Sequence, residues 1–346
     1  MIIRRVLLPT EKQRVINFLT KFHLSFDKDI VESFYIEEND EIIATISRSK
    51  DTIKCLAVDD FWQGQNLTAQ LIQEVTNSFH EDNIYHYFVF TTINNKVIFE
   101  ELGFNKISSS QKVIIFEKGI ELINDQIDKL KNQFEFHFGI RVENHSIGSI
   151  VVNCNPVTKG HQELIEYMSK RHDYGVVFLV SEDLSFFTYK ERQSLLYLSI
   201  NHLDNILILP STKYMVSTLT FPTYFFHEDE DVELEQSYLD AKIFKDYFMP
   251  KFNISKRYVG TEEKGYMKKY NNILKMELGQ SLIEVDRFTF EGEIISASKV
   301  RELIKKGKYK EACELVPNSV KKLFNAMIRS KYHEWISKVA IWKRSL

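Results

Sequence analysis

Apolar and polar positions follow strand and helix periods in two stretches of the chain, which a charged, helix-compatible connector separates. In the first, residues 40–47 (DEIIATIS) and 52–58 (TIKCLAV) have the β-branched, turn-bounded character of strands joined by a charged turn. Residues 69–79 place Leu71, Ile72, Val75 and Phe79 at helical spacing on one face. Residues 85–91 (YHYFVFT) form an unbroken aromatic run suited to a buried strand, residues 95–102 read as a helix capped by Gly103, and residues 112–117 as a last strand. The charged stretch 118–133 is helix-compatible and serves as the connector.

From residue 147 the pattern becomes a strict alternation. Strands are predicted at 147–153, 175–180, 205–209, 257–260 and 282–285, and helices at 160–171, 190–202, 234–248, 267–278 and 298–306. Such alternation predicts an α/β fold with a parallel sheet covered on both faces, whose ligands bind at the carboxyl ends of the strands. The predicted domains are residues 1–136 and 137–346.

Composition adds exclusions. The chain has 346 residues, enough for two cores, and its net charge of -3 argues against general nucleic-acid binding. Cys55, Cys154 and Cys313 lie far apart, without the spacing of a zinc or redox motif, and so sparse a count fits a reducing cytoplasm. The N-terminal apolar run is too short for a signal peptide, and no stretch has the length of a membrane span.

The chemistry concentrates in Asn153-Cys154-Asn155-Pro156-Val157-Thr158-Lys159-Gly160-His161, which follows the strand at 147 and opens a helix buried through Leu164, Ile165 and Met168. A helix start offers free N–H groups and partial positive charge to a phosphate. Gly160 permits close approach, and Thr158 and His161 can both donate hydrogen bonds to phosphate oxygens. Lys159, Lys190, Arg192 and Lys299 are further cations in reach of such a site. Cys154 has no base near it in sequence and reads as a small strand-end residue rather than a nucleophile. His137, His145, His172 and His227 lack metal-ligand spacing. Tyr224, Phe225 and Phe226 read as core.

Thr158-x-Gly160-His161 resembles the (His/Thr)-x-Gly-His signature of the nucleotidylyltransferase superfamily. Ile295-Ser296-Ala297-Ser298-Lys299-Val300-Arg301 resembles its second signature, Ile-Ser-x-Ser/Thr-x-x-Arg. Four further segments narrow the likeness: Asn153-Cys154-Asn155-Pro156, Thr220-Phe221-Pro222-Thr223-Tyr224-Phe225, Tyr258-Val259-Gly260-Thr261-Glu262 and Gly292-Glu293-Ile294-Ile295-Ser296-Ala297-Ser298. They resemble the citrate lyase synthetase ([citrate (pro-3S)-lyase] ligase) family. That resemblance implies a Rossmann-like nucleotidylyltransferase domain with C-terminal helices, preceded by a GNAT-like α/β domain.

It also implies a reaction. Acetate attacks ATP to form acetyl-adenylate, and the acetyl group passes to the thiol of a CoA-like arm on the citrate lyase acyl carrier subunit. ATP and Mg²⁺ are the implied cofactors, with the metal held by phosphate oxygens and water rather than by a carboxylate cage. Thr158, His161 and Arg301 become the catalytic candidates. Asn153, Asn155, Pro156, Gly160, Gly260, Thr261, Glu262, Ile295, Ser296 and Ser298 become the ATP-binding candidates.

In the first unit, Gln63-Gly64-Gln65-Asn66-Leu67-Thr68 resembles the GNAT Gln/Arg-x-x-Gly-x-Gly/Ala loop, with Asn66 and Thr68 in place of the two small residues. The substitutions count against acetyl-CoA catalysis. Val58, Gln63, Gly64, Asn66 and Thr68 are instead candidates for holding the CoA-like arm. Two alternatives share these features: an adenylyltransferase acting on pantetheine phosphate or nicotinamide mononucleotide, and an acetyl-CoA-dependent acetyltransferase.

Overall fold

The computed structural model describes residues 1–181, 185–215, 224–226, 232–287, 289–290 and 293–331. Of the segments singled out above, residues 220–223, His227 and Gly292 lie outside these described residues. The chain groups into two compact units, Met1–Gln126 with Val216–Ile243, and Ile127–Met215 with Phe244–Leu346. The division is thus discontinuous, whereas the patterning suggested a single cut near residue 136. Among the described residues no helix is long and apolar enough to cross a membrane.

The first unit contains β1 (Ile3–Arg5), α1 (Pro9–Thr20), β2 (Glu32–Glu38), β3 (Glu41–Arg48), β4 (Thr52–Val58), α2 (Leu67–Glu81), β5 (His86–Thr92), α3 (Lys96–Glu101), β6 (Asn105–Ser109) and β7 (Val113–Gly119). The sheet order is β1-β2-β3-β4-β5-β7-β6. All its pairings are antiparallel except β4 with β5, which run parallel and pair only through Thr52–Phe88 and Ile53–Val89. Alternate residues of β2 serve opposite faces: Phe34 and Ile36 meet Leu71, Val75 and Phe79 of α2, while Tyr35 meets Val15 and Phe18 of α1. A strand buried on both faces shows no polar–apolar alternation, which is why β2 escapes a periodicity reading.

The helix α4 (Ile123–Phe138) follows β7, and α7 (Val232–Ile243) returns to the first unit. Its Glu235 accepts hydrogen bonds from Ser110 Oγ and from the Lys112 N–H, and Lys242 Nζ donates to the Ser109 carbonyl at 2.9 Å. Tyr224 is buried in the cluster containing Cys55 and Val15, as core rather than as a ligand contact.

The second unit is built on β8 (Ile147–Val152), α5 (Lys159–Ser169), β9 (Tyr174–Leu179), α6 (Tyr189–Ile200), β10 (Ile206–Pro210), α8 (Met249–Lys251), β11 (Ile254–Gly260), α9 (Gly265–Leu278), β12 (Leu282–Val285), a small hairpin of β13 (Thr289–Phe290) and β14 (Glu293–Ile294), α10 (Ala297–Lys305) and α11 (Tyr309–Glu314). Residues 321–331 form a further helix. The five-stranded sheet has the order β10-β9-β8-β11-β12 and is parallel throughout. Chain direction reverses its lateral progress between β8 and β11, which is the switch point where doubly wound sheets bind ligands.

One sheet face packs Ile150, Val177 and Tyr258 against α5, α6, α10 and the helix 321–331. Gly148 and Gly175 let α5 lie close: an added Cβ would stand 2.7 and 2.6 Å from Met168 side-chain atoms. On the other face, Phe178 contacts Phe244, Phe248 and Phe252 edge-on, with centroids 5.2 to 6.4 Å apart. The predicted helix 234–248 is interrupted here, because α7 ends at Ile243 and Phe244–Phe248 forms a π turn. The wider turn brings the Phe244 and Phe248 rings parallel at 6.0 Å, with the Phe178 edge against both.

Candidate active site

The carboxyl ends of β8, β11 and β12 and the starts of α5 and α10 enclose a cleft of about 360 Å³. Thr158, His161 and Arg301 all line it, as do Asn153, Asn155, Gly160, Gly260, Glu262, Ile295, Ser296 and Ser298. Pro156 and Thr261 stand outside the lining. The two signature segments, distant in sequence, therefore share one cavity.

The first helix start is internally locked. Thr158 is the N-cap of α5 and is 1% exposed. Its backbone N–H donates to His161 Nδ1 at 3.1 Å, and its hydroxyl oxygen lies 2.8 Å from the same nitrogen and accepts the His161 N–H at 3.4 Å. Since Nδ1 accepts, the neutral ring carries its proton on Nε2. The Lys159 N–H is taken by the Leu315 carbonyl at 3.0 Å. The Gly160 N–H is then the first-turn donor left to the cleft. At α10, Ser296 caps the Lys299 N–H at 3.2 Å, leaving the N–H groups of Ala297 and Ser298, both cleft residues. Two incompletely satisfied helix starts facing one cavity form an anion site.

Arg301 ties these starts together. Nη1 donates to the Asn155 carbonyl at 2.5 Å and Nη2 to Ser298 Oγ at 3.0 Å. Glu302, a possible partner in sequence, pairs with Lys306 instead. Burial lowers the Arg301 pKa from its ordinary value, so its charge is under-solvated and a ligand anion would be favoured there.

Burial, reinforced by the Arg287 charge, pushes His161 down to about 4. The ring is therefore neutral at physiological pH and acts as an Nε2–H donor. Because the folded value lies below the usual 6.5, the unfolded chain binds the extra proton between about pH 6.5 and 4, and stability falls as pH drops through that window. Urea unfolding at pH 7 and pH 5 should show a loss in the parent that is reduced in His161→Ala; equal losses in both proteins would contradict the assignment.

Sequence reasoning missed two cations. Arg287, just beyond β12, pairs with Glu262, and its N–H donates to Thr261 Oγ1 at 3.2 Å. Thr261 thus anchors the backbone at Arg287. Burial raises the Glu262 pKa against the opposing pull of Arg287. Arg257, 1% exposed on β11, also lines the cleft, with its guanidinium 4.3 Å from the Phe244 ring centroid and Nη2 donating to Tyr270 Oη at 2.8 Å. No local signal marks either one: Arg257 lies in the middle of β11, and Arg287 follows the edge strand β12.

Conversely, Arg192 is no phosphate ligand. It is fully buried, with Nη1 donating to the carbonyls of Asn153 at 2.9 Å and Val180 at 2.8 Å and to Asn153 Oδ1 at 3.0 Å, while Nε donates to the Phe187 carbonyl at 3.2 Å. Its task is to satisfy the carbonyls of the loop after β8, and this fixes the Asn153 side chain at the cleft edge. Arg192→Met should cost roughly 3 kcal/mol by stranding those acceptors; an unchanged urea midpoint would refute this. Lys159, Lys190 and Lys299 are not among the lining residues. Cys154 is buried, and desolvation moves its thiol well above the ordinary range, which removes it as a nucleophile.

Mg²⁺ would find two cleft carboxylates, Glu262 paired with Arg287 and the exposed Asp286. Among the described residues no group of three or more His, Cys, Asp or Glu could hold a metal. This donor set fits a cation carried largely by phosphate oxygens and water rather than by a carboxylate cage.

In the first unit, Gly64 and Asn66 both have positive φ, +79° and +61°, so the turn before α2 forms with asparagine in the left-handed region. Gln63, Gly64 and Asn66 are exposed, and Val58 and Thr68 are partly buried. Gln63 Nε2 donates to Asp60 Oδ1 at 2.7 Å.

Comparison with known proteins agrees with both units. A family model described as the citrate lyase ligase C-terminal domain matches residues 147–324, and one described as an acetyltransferase (GNAT) domain matches residues 9–127. A protein of Haemophilus influenzae named [citrate [pro-3S]-lyase] ligase is 30% identical over 87% of this chain and 91% of its own. Proteins of the same name from Klebsiella pneumoniae and Escherichia coli (strain K12) are 29% and 28% identical, over 92% and 88% of this chain and 94% and 87% of theirs. The match to the C-terminal domain model spans the strands and helix starts that build the cleft, and the relatives extend over both units. The chain belongs to the citrate lyase ligase family.

Proposed function

We propose that the protein is a [citrate (pro-3S)-lyase] ligase, joining acetate to the prosthetic thiol of the citrate lyase acyl carrier subunit at the expense of ATP. The supporting observation is that His161 and Arg301 line one cleft, with Arg301 reaching the Asn155 carbonyl of the first signature loop. A carboxylate oxygen of acetate attacks the α-phosphorus in line, the bond to pyrophosphate breaks, and acetyl-adenylate forms. The carrier thiol, giving up its proton, then attacks the acetyl carbon and AMP leaves with the bonding pair.

The protein's part is charge placement. His161 Nε2–H and the Gly160 N–H stabilise charge developing at the α- and β-phosphates. Arg301, Ser298 and the start of α10 hold the β- and γ-phosphates, and Arg287 adds positive charge between the two. Thr158 acts through His161 by fixing its tautomer. Gly260, with its carbonyl held by buried Asn271 at 2.9 Å, shapes the nucleoside wall beside Glu262. Mg²⁺, when bound with ATP, neutralises phosphate charge.

The three cysteines are free and buried, in keeping with a cytoplasmic enzyme. Pyrophosphate release measured with acetate and with pantetheine phosphate tests the reading: release with acetate supports it, and release with pantetheine phosphate alone overturns it.

For the first unit, the proposed role is to hold the carrier's CoA-like arm at the Gln63–Thr68 turn. Gly64→Val, strained at φ +79°, should raise the Michaelis constant for the carrier several-fold without changing acetate-dependent ATP–pyrophosphate exchange. An unchanged constant would leave the unit a structural part only.

A further inference from the structure

Charge is distributed very unevenly over the second unit. Residues 297–331 contain ten Lys and Arg against three Glu, in a chain whose net charge is -3. Lys305 and Lys306 close α10, Gly307 reverses the chain at φ +72°, and Lys308 and Lys310 open α11, so four lysines cluster at one corner. All four are exposed. Lys306 and Lys308 are partly offset by Glu302 and Glu311. Lys305 and Lys310 have no ion pair among the described residues.

Beside this corner a recess of about 510 Å³ is lined by Lys310, Arg329, Tyr309 and Ile328, together with Lys321 and Glu314, which pair at 3.0 Å, so Lys310 and Arg329 supply its unbalanced positive charge. Helix electrostatics explain only part of the pattern. Lys305 suits the C-terminal turn of α10, but Lys308 and Lys310 sit at the start of α11, where a cation is disfavoured.

The helix that ends at this corner, α10, begins at the cleft. Ser296 and Ser298 lie at its start, and its nine residues span about 13 Å. A macromolecule seated on the basic end would thus hold a flexible, thiol-tipped arm within reach of an adenylate in the cleft, without entering the cleft itself.

We propose that the α10–α11 corner and its adjoining recess are the docking surface for an acidic face of the thiol-bearing carrier protein. The inference rests on the ligase reading and assigns the surface that its protein substrate meets. Attraction between exposed charges acts mainly on encounter and is screened within about 8 Å at physiological ionic strength. The surface therefore governs capture of the carrier and leaves adenylate formation untouched.

The test compares the parent with Lys305→Glu/Lys310→Glu, and with the milder Lys305→Gln/Lys310→Gln as a safeguard against misfolding. Two rates are read: acetate-dependent ATP–pyrophosphate exchange, and acetyl transfer to the isolated acyl carrier subunit across a salt series. Expected are exchange within twofold of the parent, a rise of about tenfold in the carrier's Michaelis constant for the Glu pair, a smaller rise for the Gln pair, and a flattened salt dependence in both. A carrier constant within twofold of the parent, with the parent's salt dependence, would overturn the docking surface. Absence of acetate-dependent exchange in the parent would instead remove the ligase reading and this inference with it.

Discussion

His161→Ala is expected to lower the rate of acetate-dependent ATP–pyrophosphate exchange by about 10²–10³-fold while the protein stays folded. The size follows from the ring's environment. Two donors from Thr158 converge on Nδ1, so the imidazole is fixed in one tautomer, and burial with the nearby Arg287 charge keeps it neutral. A preorganised donor in such a site needs no rearrangement as charge builds on the phosphate, and alanine leaves that charge to water. The fold tolerates the change because Thr158 remains the cap of α5 and the buried face of Leu164, Ile165 and Met168 is unaltered. Turnover within a few-fold of the parent would show that the imidazole does not meet the reacting phosphate. His161→Asn, which preserves a donor of shorter reach, should recover part of the loss.

Arg301→Ala should reduce kcat/KM for ATP by about 10²-fold and leave the Michaelis constant for acetate within roughly threefold. Arg301 has two jobs in the structure, and the variant removes both. It brings a fixed positive charge to the start of α10, and through the Asn155 carbonyl it holds the first signature loop against the second. Arg301→Lys should stay impaired, since one ammonium cannot reproduce the two-pronged geometry. Equal losses for ATP and acetate would argue for a general disturbance of the cleft rather than a triphosphate contact.

The parts of this architecture that were legible in sequence are those whose physics is local. The strand at 147 followed by Thr158-x-Gly160-His161, and Ser296-x-Ser298 before an amphipathic helix, each announce a helix start built for anions. The alternation from 147 onward conveys a parallel sheet, and the order of that sheet then dictates which strand ends meet. What stayed hidden depends on contacts distant in the chain. Arg192 reads as an available cation beside Lys190 until the three backbone carbonyls that surround it are known. Arg287 has no motif around it; its role exists only because β12 lies next to β11. The return of residues 232–243 to the first unit is carried by Glu235 and Lys242 meeting residues 109–112, contacts that no period can express. The π turn at Phe244–Phe248 likewise answers to Phe178, a residue on another strand.

The arrangement also limits how the two units can be separated experimentally. α4 runs across the division between residues 126 and 127, and its Phe134, inside the second unit, packs edge-on against Phe252 at 5.9 Å. A truncated chain beginning after α4 would lack part of the second unit's core and leave α7 without the strand residues that hold it. Point substitutions in exposed turns are therefore the cleaner probe of the first unit.

Convergence of both helix starts on a single triphosphate is best tested by a double-mutant cycle between His161→Ala and Arg301→Ala, read as kcat/KM for ATP in acetate-dependent exchange. Groups acting on one ligand through a shared loop should be coupled, with the double variant departing from the product of the single losses by about 1 kcal/mol or more. Losses that multiply independently, within about 0.3 kcal/mol, would mean that the imidazole and the guanidinium serve separate ends, and the proposed chemistry of the cleft would not stand.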